Sequence, residues 1–514
     1  MSHGLHHVTL VTGHAQANVD FYVGFLGLRL VKRTGGFEDA TQLHLLYGDA
    51  AGSPGSLVTF LVWEDGQPGR VGLGQFSDLA LAIPSASIGF WLTRAMSQGI
   101  KVAGPSREFG EPVLRLTDPD GATVKLVGVD TLAAAAPLVD GAIPAEHAIR
   151  RLRGATVLSD QARETQAALA EHLAYAETAR QDGLIRLTSP AGDTIDLRDA
   201  TGFWPGVGGP GTIDHLAFRT PDLDGLRRAH RLLQDQGRET SEIKDRRYFT
   251  SIYWREPAGA LCERATDGPG MAFDENPDHL GEMLFVPPET AEEVKLQLPD
   301  IALPGEPRDR RVELPFIYRL KRPADPDGST IVVLHGTGGN ETDLMPLARR
   351  IAPRAALLGF RGRSTEEGVL RWFRRFDAST FDQTDITAEA AAFAETLPEA
   401  LAAHGLDPGR TTVLGYSNGA NFAAAVMLLH PGIIRTAALL RPVRVLDAAP
   451  PADLSGTAVL TVTGTSDPFA ADADGLDELL RNAGARLSRQ RLAAGHALTD
   501  DDARAVRTWL AEEP

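Results

Sequence analysis

The sequence predicts two fold classes in one chain of 514 residues: an α+β region of four βαβββ modules, followed by an α/β domain. Three observations indicate this organisation. Four segments open with an alternating, strand-like run and continue into a helical pattern. Three of them close with a strand that follows a Pro-Gly turn. From Leu314 onward the chain instead alternates short apolar strands with helices, which is typical of a mostly parallel sheet covered on both faces.

The four modules share one order of elements. Their opening strands are predicted at His7 to Val11, Leu79 to Ile83, Arg153 to Val157 and His215 to Arg219. Their last strands are predicted at Ser56 to Val62, Ala122 to Val127, Asp193 to Leu197 and Ala260 to Ala265. In the first module Val19, Tyr22 and Leu26 give one helix an apolar face, and Gly27 ends it. These units predict two module pairs, residues 1–135 and 145–300.

A second region follows a Pro- and Arg-containing linker, predicted at residues 301–312. Residues 313–514 form the predicted α/β domain. Its strand Thr330 to Leu334 runs into a Gly-rich turn, and its strand Thr411 to Leu414 does the same before a helix at Asn418 to Leu429. Further strands and helices alternate to the end of the sequence.

Composition excludes several classes of partner. The net charge is −17, which disfavours nucleic acid and anionic membrane surfaces. Cys262 is the single cysteine, the first residues lack the pattern of a signal peptide, and no apolar run has the length of a membrane span. We therefore expect a cytoplasmic protein that acts on small molecules, and the sequence leaves its assembly state open, a homo-oligomer included.

Two histidines and one carboxylate occupy matching places in the first and last modules. His7 and His215 lie in the opening strands, and Glu263 lies in the last strand of the fourth module. Strand alternation places Glu263 on one face and Cys262 on the other. Two imidazoles and a carboxylate on adjacent strands form the facial arrangement of non-haem Fe(II) sites, which leaves positions open for substrate and oxygen.

The repeat provides an internal control for this prediction, since a lone histidine in a strand is more often packed or exposed than a ligand. At the carboxylate position the second and third modules carry Lys125 and Asp196, and at the histidine position the third carries Arg153. Only the first and fourth modules have the predicted ligand set.

Two sequence stretches resemble a known family. They are Leu5-His6-His7-Val8-Thr9, with the helix and strand that follow it, and the longer run from Asp245 to Pro257. Over about residues 4 to 300 the chain is similar to the vicinal oxygen chelate (glyoxalase/bleomycin-resistance/dioxygenase) superfamily, and within it to ring-cleaving hydroquinone dioxygenases. The resemblance implies Fe(II) held by His7, His215 and Glu263.

The same resemblance implies residues around the substrate. It places His6, Thr9, Arg246 and Tyr253 in the pocket, where His6 and Tyr253 can exchange protons and Arg246 supplies a fixed cation. A surface salt bridge is the alternative role for Arg246. Family members often have a second histidine where this chain has Asp214, so its substrate preference or proton transfer is expected to differ.

Two alternatives stay open for the first 300 residues. One is a metal-free module that binds quinones or antibiotics. The other is a metal-dependent isomerase or lyase of the glyoxalase type that uses Mn, Ni or Zn, since the ligands alone do not fix the metal.

The α/β domain carries a predicted nucleophile elbow. Gly415-Tyr416-Ser417-Asn418-Gly419 stands between a strand and a helix, which is the context that a G-x-S-x-G motif requires. The turn exposes the Ser417 hydroxyl, and the Asn418 N–H faces the developing oxyanion. The second oxyanion donor is predicted in the loop from His335 to Gly339, at the Thr337 N–H. A Gly-rich turn with a solvated serine is the alternative.

The partners of Ser417 follow in the expected chain order. Asp467 comes after the strand Ala458 to Val462, and His496 follows further along the chain. His496 would accept the Ser417 proton, and Asp467 would orient the imidazole. His335 and His430 are expected to be structural. Residues 313–514 resemble small carboxylesterase/phospholipase-like α/β hydrolases, which implies a serine esterase without fixing its substrate.

Together the two sites predict a bifunctional enzyme. Its first part is an Fe(II)-dependent, extradiol-type dioxygenase that uses O2 to open hydroquinone- or catechol-like rings. Its second part is a serine hydrolase of esters, lactones or acyl compounds. The fusion indicates that both parts serve one pathway.

Overall fold

The computed structural model describes residues 4–36, 38–131, 142–286, 291–377 and 379–512. Part of the predicted link between the module pairs, residues 132–141, therefore lies outside the described residues. The chain divides into two compact units. The first comprises Met1–Val294 with Leu298–Arg308, and the second comprises Lys295–Gln297 with Asp309–Pro514.

Each predicted module appears in the first unit as a strand, a helix and three further strands. The first has β1 Leu5–Thr12, α1 Ala15–Val19, β2 Arg29–Gly35, β3 Leu43–Gly48 and β4 Leu57–Val62; the second has β5 Phe76–Ile83, α2 Ile88–Ser97, β6 Val102–Glu108, β7 Glu111–Thr117 and β8 Thr123–Gly128. The third has β9 Arg151–Ser159, α3 Ala162–Leu173, β10 Ala176–Gln181, β11 Leu184–Thr188 and β12 Thr194–Asp199; the fourth has β13 Ile213–Thr220, α4 Leu223–Asp235, β14 Lys244–Asp245, β15 Phe249–Arg255 and β16 Leu261–Pro269. A short strand β17 Leu284–Phe285 and a helix α5 Ala291–Gln297 follow.

The modules pair as first with fourth and second with third. The first and fourth form a nine-stranded sheet in the order β14-β15-β16-β13-β1-β4-β3-β2-β17. The second and third form an eight-stranded sheet in the order β10-β11-β12-β9-β5-β8-β7-β6. An antiparallel contact joins the two modules of each sheet, β1 with β13 and β5 with β9. The first module's strands thus lie beside those of the fourth, although some 200 residues separate them in sequence.

The first helix differs from the sequence prediction. A single helix ending at Gly27 was predicted, whereas α1 ends at Val19 and continues as a π-helical segment, Asp20–Phe25. Gly27 does end it, with a φ of +72° that favours glycine. The wider turns still place Phe21, Tyr22 and Phe25 in the core, so the apolar face is kept.

Two faces of the nine-stranded sheet have different compositions. One face packs on the helices in a large apolar core that includes Val8, Leu10 and Cys262. The alternate residues of the same strands face a concave cup, where His7, Thr9 and Glu263 lie next to the apolar Leu57 and Ala217. The alternation of β1 and β16 therefore separates core from candidate site.

The second unit is an α/β sheet. Its elements are β18 Tyr318–Lys321, β19 Thr330–Leu334, α6 Met345–Ile351, β20 Ala356–Phe360, α7 Gln383–Ala403, β21 Thr411–Tyr416, α8 Asn418–Leu429, β22 Thr436–Leu440, β23 Ala458–Gly464, α9 Ala470–Asn482, β24 Arg486–Leu492 and α10 Asp500–Glu512. The order is β18-β20-β19-β21-β22-β23-β24, in which only β18 is antiparallel to its neighbour. Separate apolar clusters cover its two faces. Within the described parts of the whole chain, no helix combines the length and hydropathy needed to cross a membrane.

Candidate functional site

Three neighbouring strands bring the predicted metal ligands together. In the nine-stranded sheet, Thr9 of β1 pairs with His215 of β13, and Ala217 of β13 pairs with both His7 and Glu263. His7 Nε2 lies 3.3 Å from His215 Nε2, and Glu263 Oε2 lies 3.0 Å from the former and 2.8 Å from the latter. All three side chains are buried. These separations are close to the distance between neighbouring ligand atoms of an octahedral site, which is about 3.0 Å for metal–ligand bonds of about 2.1 Å.

The residue before each histidine fixes which nitrogen faces the centre. His6 Nδ1 lies 2.9 Å from His7 Nδ1, and Asp214 Oδ2 lies 2.6 Å from His215 Nδ1. Asp214 accepts the His215 Nδ1 proton, and His6 can accept that of His7. Both histidines can then turn an unprotonated Nε2 toward Glu263, the tautomer that a metal ligand requires.

Two irregularities of the sheet create these contacts. The register between β1 and β13 slips at His6 and again at Asp214, so each of these residues is an extra residue within its strand. In a regular strand they would point away from the histidine that follows them. The two bulges instead hold them beside His7 and His215, at equivalent places in the first and fourth modules.

The Glu263 carboxylate makes the strongest case for a cation. It is completely buried, and neither oxygen has a hydrogen-bond partner among the described residues, because its contacts with His7 and His215 lack hydrogen-bond geometry. Burial alone would raise the pKa of Glu263, but the two imidazoles hold it well below its usual value. Burial lowers the pKa of His215, and the Asp214 and Glu263 carboxylates outweigh that effect and raise it to about 9. At neutral pH His215 therefore holds a proton on Nε2, and a divalent metal that displaces this proton would meet three converging ligand atoms, the two Nε2 atoms and the Glu263 carboxylate.

Three predicted pocket residues border this centre. The Thr9 hydroxyl lies 2.9 Å from His215 Nε2 and 2.7 Å from the Thr59 hydroxyl. Tyr253 of β15 pairs with Glu263, and its ring contacts His215 edge-on at 5.4 Å. Arg246 donates to the Tyr253 hydroxyl at 3.3 Å. Burial, then the Glu263 charge, raise the pKa of Tyr253, which keeps its proton at neutral pH.

His6 and Asp214 each contact one of the two candidate ligand histidines. They contact the Nδ1 atoms of the histidines, on the side of each ring that faces away from Glu263. Burial, and then the neighbouring His7, lower the pKa of His6 to about 3. These contacts suit residues that orient the two imidazoles, and proton exchange by His6 and substrate binding by Asp214 stay predictions.

His44 belongs to the same cup and was missed by the sequence analysis. It pairs with Leu61 of β4 and with Thr34 of β2, which places it on the face that carries His7. Its Nε2 is buried and has no hydrogen-bond partner among the described residues. Burial and the neighbouring His7 lower its pKa to about 3. Alternation within Leu43–Gly48 is the one sequence signal for it, because no other module has a histidine there.

The equivalent cup of the eight-stranded sheet is filled by ion pairs. Lys125 lies 3.3 Å from Asp78 and 3.2 Å from Glu108, while Arg186 contacts Asp196 at 2.8 Å. Arg153 and Arg186 share Glu111, each at 2.7 Å. Among the described residues, His7, His215 and Glu263 form the single cluster suited to a metal.

The elbow at Ser417 depends on two glycines. Ser417 has a φ of +50°, a strained value for a serine, and it follows β21 directly. A Cβ on Gly419 would lie 2.1 Å from the Leu334 carbonyl oxygen, and one on Gly415 would lie 2.7 Å from the Ala420 Cα. The two glycines of the motif are therefore required by backbone packing, as in a nucleophile elbow.

The three predicted triad residues meet at the carboxyl edge of the second sheet. Ser417 Oγ lies 3.0 Å from His496 Nε2, and His496 Nδ1 lies 3.0 Å from Asp467 Oδ2. The aromatic rings of Tyr416 and Phe469 pack against the imidazole. This arrangement can move a proton from the serine to the imidazole.

Two backbone donors are suitably placed for an oxyanion. Asn418 begins α8, so its N–H is one of those that a helix leaves without an intrahelical acceptor. Among the described residues no acceptor is found for the Thr337 N–H, whereas Gly338 and Gly339 donate to Leu370 and Gly336. Thr337 and Asn418 thus remain the predicted pair.

The His335 side chain makes hydrogen bonds that hold this loop. Its Nδ1 lies 2.6 Å from the Gly336 carbonyl oxygen, and its Nε2 accepts from the Gly362 N–H at 2.9 Å. Both ring nitrogens are therefore occupied by contacts with the backbone. His430 is the C-terminal cap of α8 and directly precedes Pro431.

Both parts of the chain are similar to known proteins. Residues 4–126 match the Glyoxalase/Bleomycin resistance protein/Dioxygenase superfamily. The "Putative ring-cleaving dioxygenase MhqO" of Bacillus subtilis (strain 168) is 34% identical over 308 residues, which are 60% of this chain and 97% of that protein. The "Chlorohydroquinone/hydroquinone 1,2-dioxygenase" of Sphingobium indicum (strain UT26S) is 31% identical over 297 residues, 56% of this chain and 92% of its own.

The relatives of the second part are hydrolases. The "Putative hydrolase MhqD" of Bacillus subtilis (strain 168) is 35% identical over 186 residues, 36% of this chain and 93% of that protein. The crystal structure of a carboxylesterase from Mesorhizobium loti is 46% identical and covers 40% of this chain and 98% of its own, with a TM-score of 0.39. The chain therefore belongs to the Glyoxalase/Bleomycin resistance protein/Dioxygenase superfamily, as a member in which a part related to ring-cleaving dioxygenases is followed by a part related to hydrolases.

Proposed function

We propose that the chain is a bifunctional enzyme: an Fe(II)-dependent, extradiol-type dioxygenase of hydroquinone- or catechol-like rings, joined to a serine esterase-type hydrolase. The observation that carries the first part is the buried Glu263 carboxylate, which accepts no hydrogen bond from the described residues and faces the Nε2 atoms of His7 and His215. The hydroquinone dioxygenase relative supports the choice of substrate.

The metal would be held by His7, His215 and Glu263, and when bound it supplies a centre at which the diol and O2 can exchange electrons. The chain's own residues prepare the diol. The Arg246 guanidinium, which contacts the Tyr253 hydroxyl, stabilises an ionised ring oxygen. Tyr253 holds a proton at its hydroxyl for delivery to an oxygen of the substrate. His44 offers its unpaired Nε2 to the second ring hydroxyl.

Apolar side chains close the bottom of the cup. Leu46, Leu57, Phe249 and Met271 belong to one buried cluster. Phe249 also packs against the rings of His6 and His7, at 5.2 Å each. These contacts exclude water from one side of the site and provide a surface for an aromatic ring.

Metal content and oxygen consumption test the first part together. The purified protein is loaded anaerobically with Fe(II), and O2 uptake is followed with a panel of hydroquinones and catechols. We expect uptake in the parent, and loss of both metal and uptake in His7→Ala and Glu263→Gln. His14→Ala, at an exposed histidine outside the cup, is the matched control.

Two results would contradict the dioxygenase proposal. Retention of full metal content by Glu263→Gln would remove the assigned ligand set and favour a metal-free binding module. A loaded protein that takes up no O2 with any diol, yet isomerises a substrate with Mn, Ni or Zn, would favour the glyoxalase type.

In the second part we propose Ser417 as nucleophile, His496 as general base and Asp467 as the residue that orients it. The Ser417–His496–Asp467 chain of 3.0 Å contacts carries this proposal. Attack on an ester carbonyl would place the developing oxyanion at the Thr337 and Asn418 N–H groups. The substrate is an ester, lactone or acyl compound related to the ring-cleavage product.

Hydrolysis of p-nitrophenyl acetate tests this activity separately. Ser417→Ala should abolish turnover and leave O2 uptake intact, while Ser455→Ala, at an exposed serine, should change neither. Residual turnover in Ser417→Ala close to that of the parent would exclude Ser417 as the nucleophile.

A further inference from the structure

We propose that Arg441 and Asp502 form a buried pair that positions His496 in the hydrolase triad. The inference rests on the proposed serine hydrolase, because it assigns the cause of the His496 position rather than a separate activity. Arg441 would be a positioning residue, since its contacts are with the backbone on either side of His496.

The pair is completely buried. Both side chains have no exposed surface. Arg441 Nη1 donates to Asp502 Oδ1 at 2.6 Å, and Nη2 donates to Asp502 Oδ2 at 3.0 Å, so the guanidinium and carboxylate meet in the two-bond geometry. A buried ion pair of this kind is costly to desolvate unless its remaining donors and acceptors are also used.

The remaining hydrogen bonds of the pair go to the segment that carries His496. Arg441 Nε donates to the Gly495 carbonyl at 2.9 Å, and Nη2 donates to the Ala497 carbonyl at 3.2 Å. These are the residues directly before and after His496. Asp502 Oδ2 accepts from the Thr499 N–H at 2.8 Å and from its hydroxyl at 3.0 Å. One pair thus fixes residues 495, 497 and 499.

The backbone of Arg441 is tied to the other two triad strands. Its N–H donates to the carbonyl of Val462 in β23, the strand that precedes Asp467, and the carbonyl of Leu440 accepts the Ser417 N–H; both distances are 2.8 Å. Arg441 also has a φ of +54°, a strained value for a side-chain-bearing residue. In this backbone conformation the guanidinium contacts the segment that carries His496.

We expect these contacts to affect the rate of the reaction as well as the stability of the fold. His496 lies on a segment without regular secondary structure, between β24 and α10. A displacement of a reacting group by about 1 Å can lower a rate about 100-fold. A lysine at position 441 keeps the charge but cannot reach the Asp502 carboxylate and two carbonyls at once.

The experiment compares Arg441→Lys, Arg441→Ala and Asp502→Asn with the full-length parent. We measure kcat and KM for p-nitrophenyl acetate, together with circular dichroism and Tm. Folded variants should show kcat lowered about 100-fold with KM within about twofold of the parent. Millimolar guanidinium chloride should restore part of the kcat of Arg441→Ala, an effect that a general loss of stability would not produce.

Arg489→Met is the matched control. It removes the ion pairs that Arg489 of the edge strand β24 makes with Asp474 and Asp477 of α9, and it touches none of residues 495 to 499. Its kcat should stay within about twofold of the parent. Unchanged kcat in folded Arg441→Lys and Asp502→Asn, or an equal loss in the control, would overturn the inference. A parent without Ser417-dependent turnover would instead refute the hydrolase proposal itself.

Discussion

Two residues that are not ligands define the candidate metal centre as much as the ligands do. His6 and Asp214 contact the Nδ1 atoms of His7 and His215, and so select the ring nitrogen that each histidine presents. Outer contacts of this kind raise ligand basicity and hold ring orientation. His6 and Asp214 differ in chemistry, because His6 offers a neutral ring and Asp214 offers a carboxylate.

The carboxylate of Asp214 leads to a prediction at the residue scale. Asp214→Ala removes the acceptor of the His215 Nδ1 proton, so the ring can rotate or change tautomer. We expect Fe(II) affinity to fall about 10- to 100-fold with Tm little changed. Competition with a chelator measures the affinity.

The control for this prediction is Asp199→Ala, at an exposed aspartate whose bonds are local to Thr201. An Asp214→Ala protein with the parent's metal affinity would show that Asp214 does not orient His215, and would return it to the substrate-binding role.

The sequence indicated the three side chains that converge in the candidate metal centre, but not the contacts of the residues beside them. His7, His215 and Glu263 were predictable because the modules repeat and the other modules have incompatible residues at those positions. His6 and Asp214 could not be placed, since a β-bulge decides which way their side chains turn and the sequence carries no separate signal for it. His44 was missed because the strand that carries it has no counterpart histidine in another module.

At the scale of elements, the elbow between β21 and α8 leaves little room for an added side chain. A Cβ on Gly419 would meet the Leu334 carbonyl of the adjacent strand β19. Gly419→Ala should therefore push α8 away from the sheet and lower the free energy of unfolding by about 3 kcal/mol. Denaturant unfolding measures it.

Gly456→Ala provides the comparison, because nothing lies within 4 Å of its added Cβ. We expect its stability to stay within about 0.5 kcal/mol of the parent. Equal stabilities of the two variants would contradict the close approach of α8 to β19.

A second element-scale prediction concerns the segment 271–285, which covers the cup. Lys32 of β2 is buried and pairs with Asp274 at 2.6 Å and with Glu275. Lys32→Met leaves the Glu275 carboxylate without its ion-pair partner, whereas Asp274 keeps its contact with Arg247 at 2.7 Å, so we expect a loss of about 3 kcal/mol. Hydrogen exchange should show the loss as faster opening of this segment.

Lys101→Met, at an exposed lysine, is the control for that experiment. The variant Lys32→Met with Glu275→Gln should recover part of the loss, because it removes the carboxylate that Lys32 neutralised, while Asp274 keeps its ion pair with Arg247. Unaltered exchange in Lys32→Met would show that the pair does not hold the segment.

Most element types were predictable, and the exceptions have local causes. Thr330–Leu334 and Asn418–Leu429 occur where predicted, because a short apolar run and a Gly-bounded helix are strong signals. The π-helical turns after Val19 were not, since the same apolar residues satisfy either winding. Strand ends differ by a few residues, as at β16, which extends to Pro269.

At the scale of the molecule, the two cups of the first unit have opposite contents. One holds two imidazoles that converge on a carboxylate, and the other holds Lys125, Arg153 and Arg186 against carboxylates. The cations of the second cup fill its interior and neutralise the carboxylates that a metal would otherwise use as ligands. Sequence comparison of the modules predicted this asymmetry, whereas the partners of each cation required the structure.

The asymmetry predicts the metal stoichiometry. Elemental analysis of the Fe(II)-loaded protein should give about one metal per chain, because the second cup neutralises itself. His215→Ala should lower this value to near zero. A second equivalent that survives His215→Ala would mean that the eight-stranded sheet also binds metal.

The pairing of β1 with β13 also sets a time order during synthesis. The strand that carries the first ligand leaves the ribosome some 250 residues before Glu263, which is needed to complete the set. Until then the nascent β1 lacks its neighbour in the sheet, and the contact must be closed over a long loop. Loading of the proposed metal site would consequently be a late event, which follows translation of nearly the whole first unit.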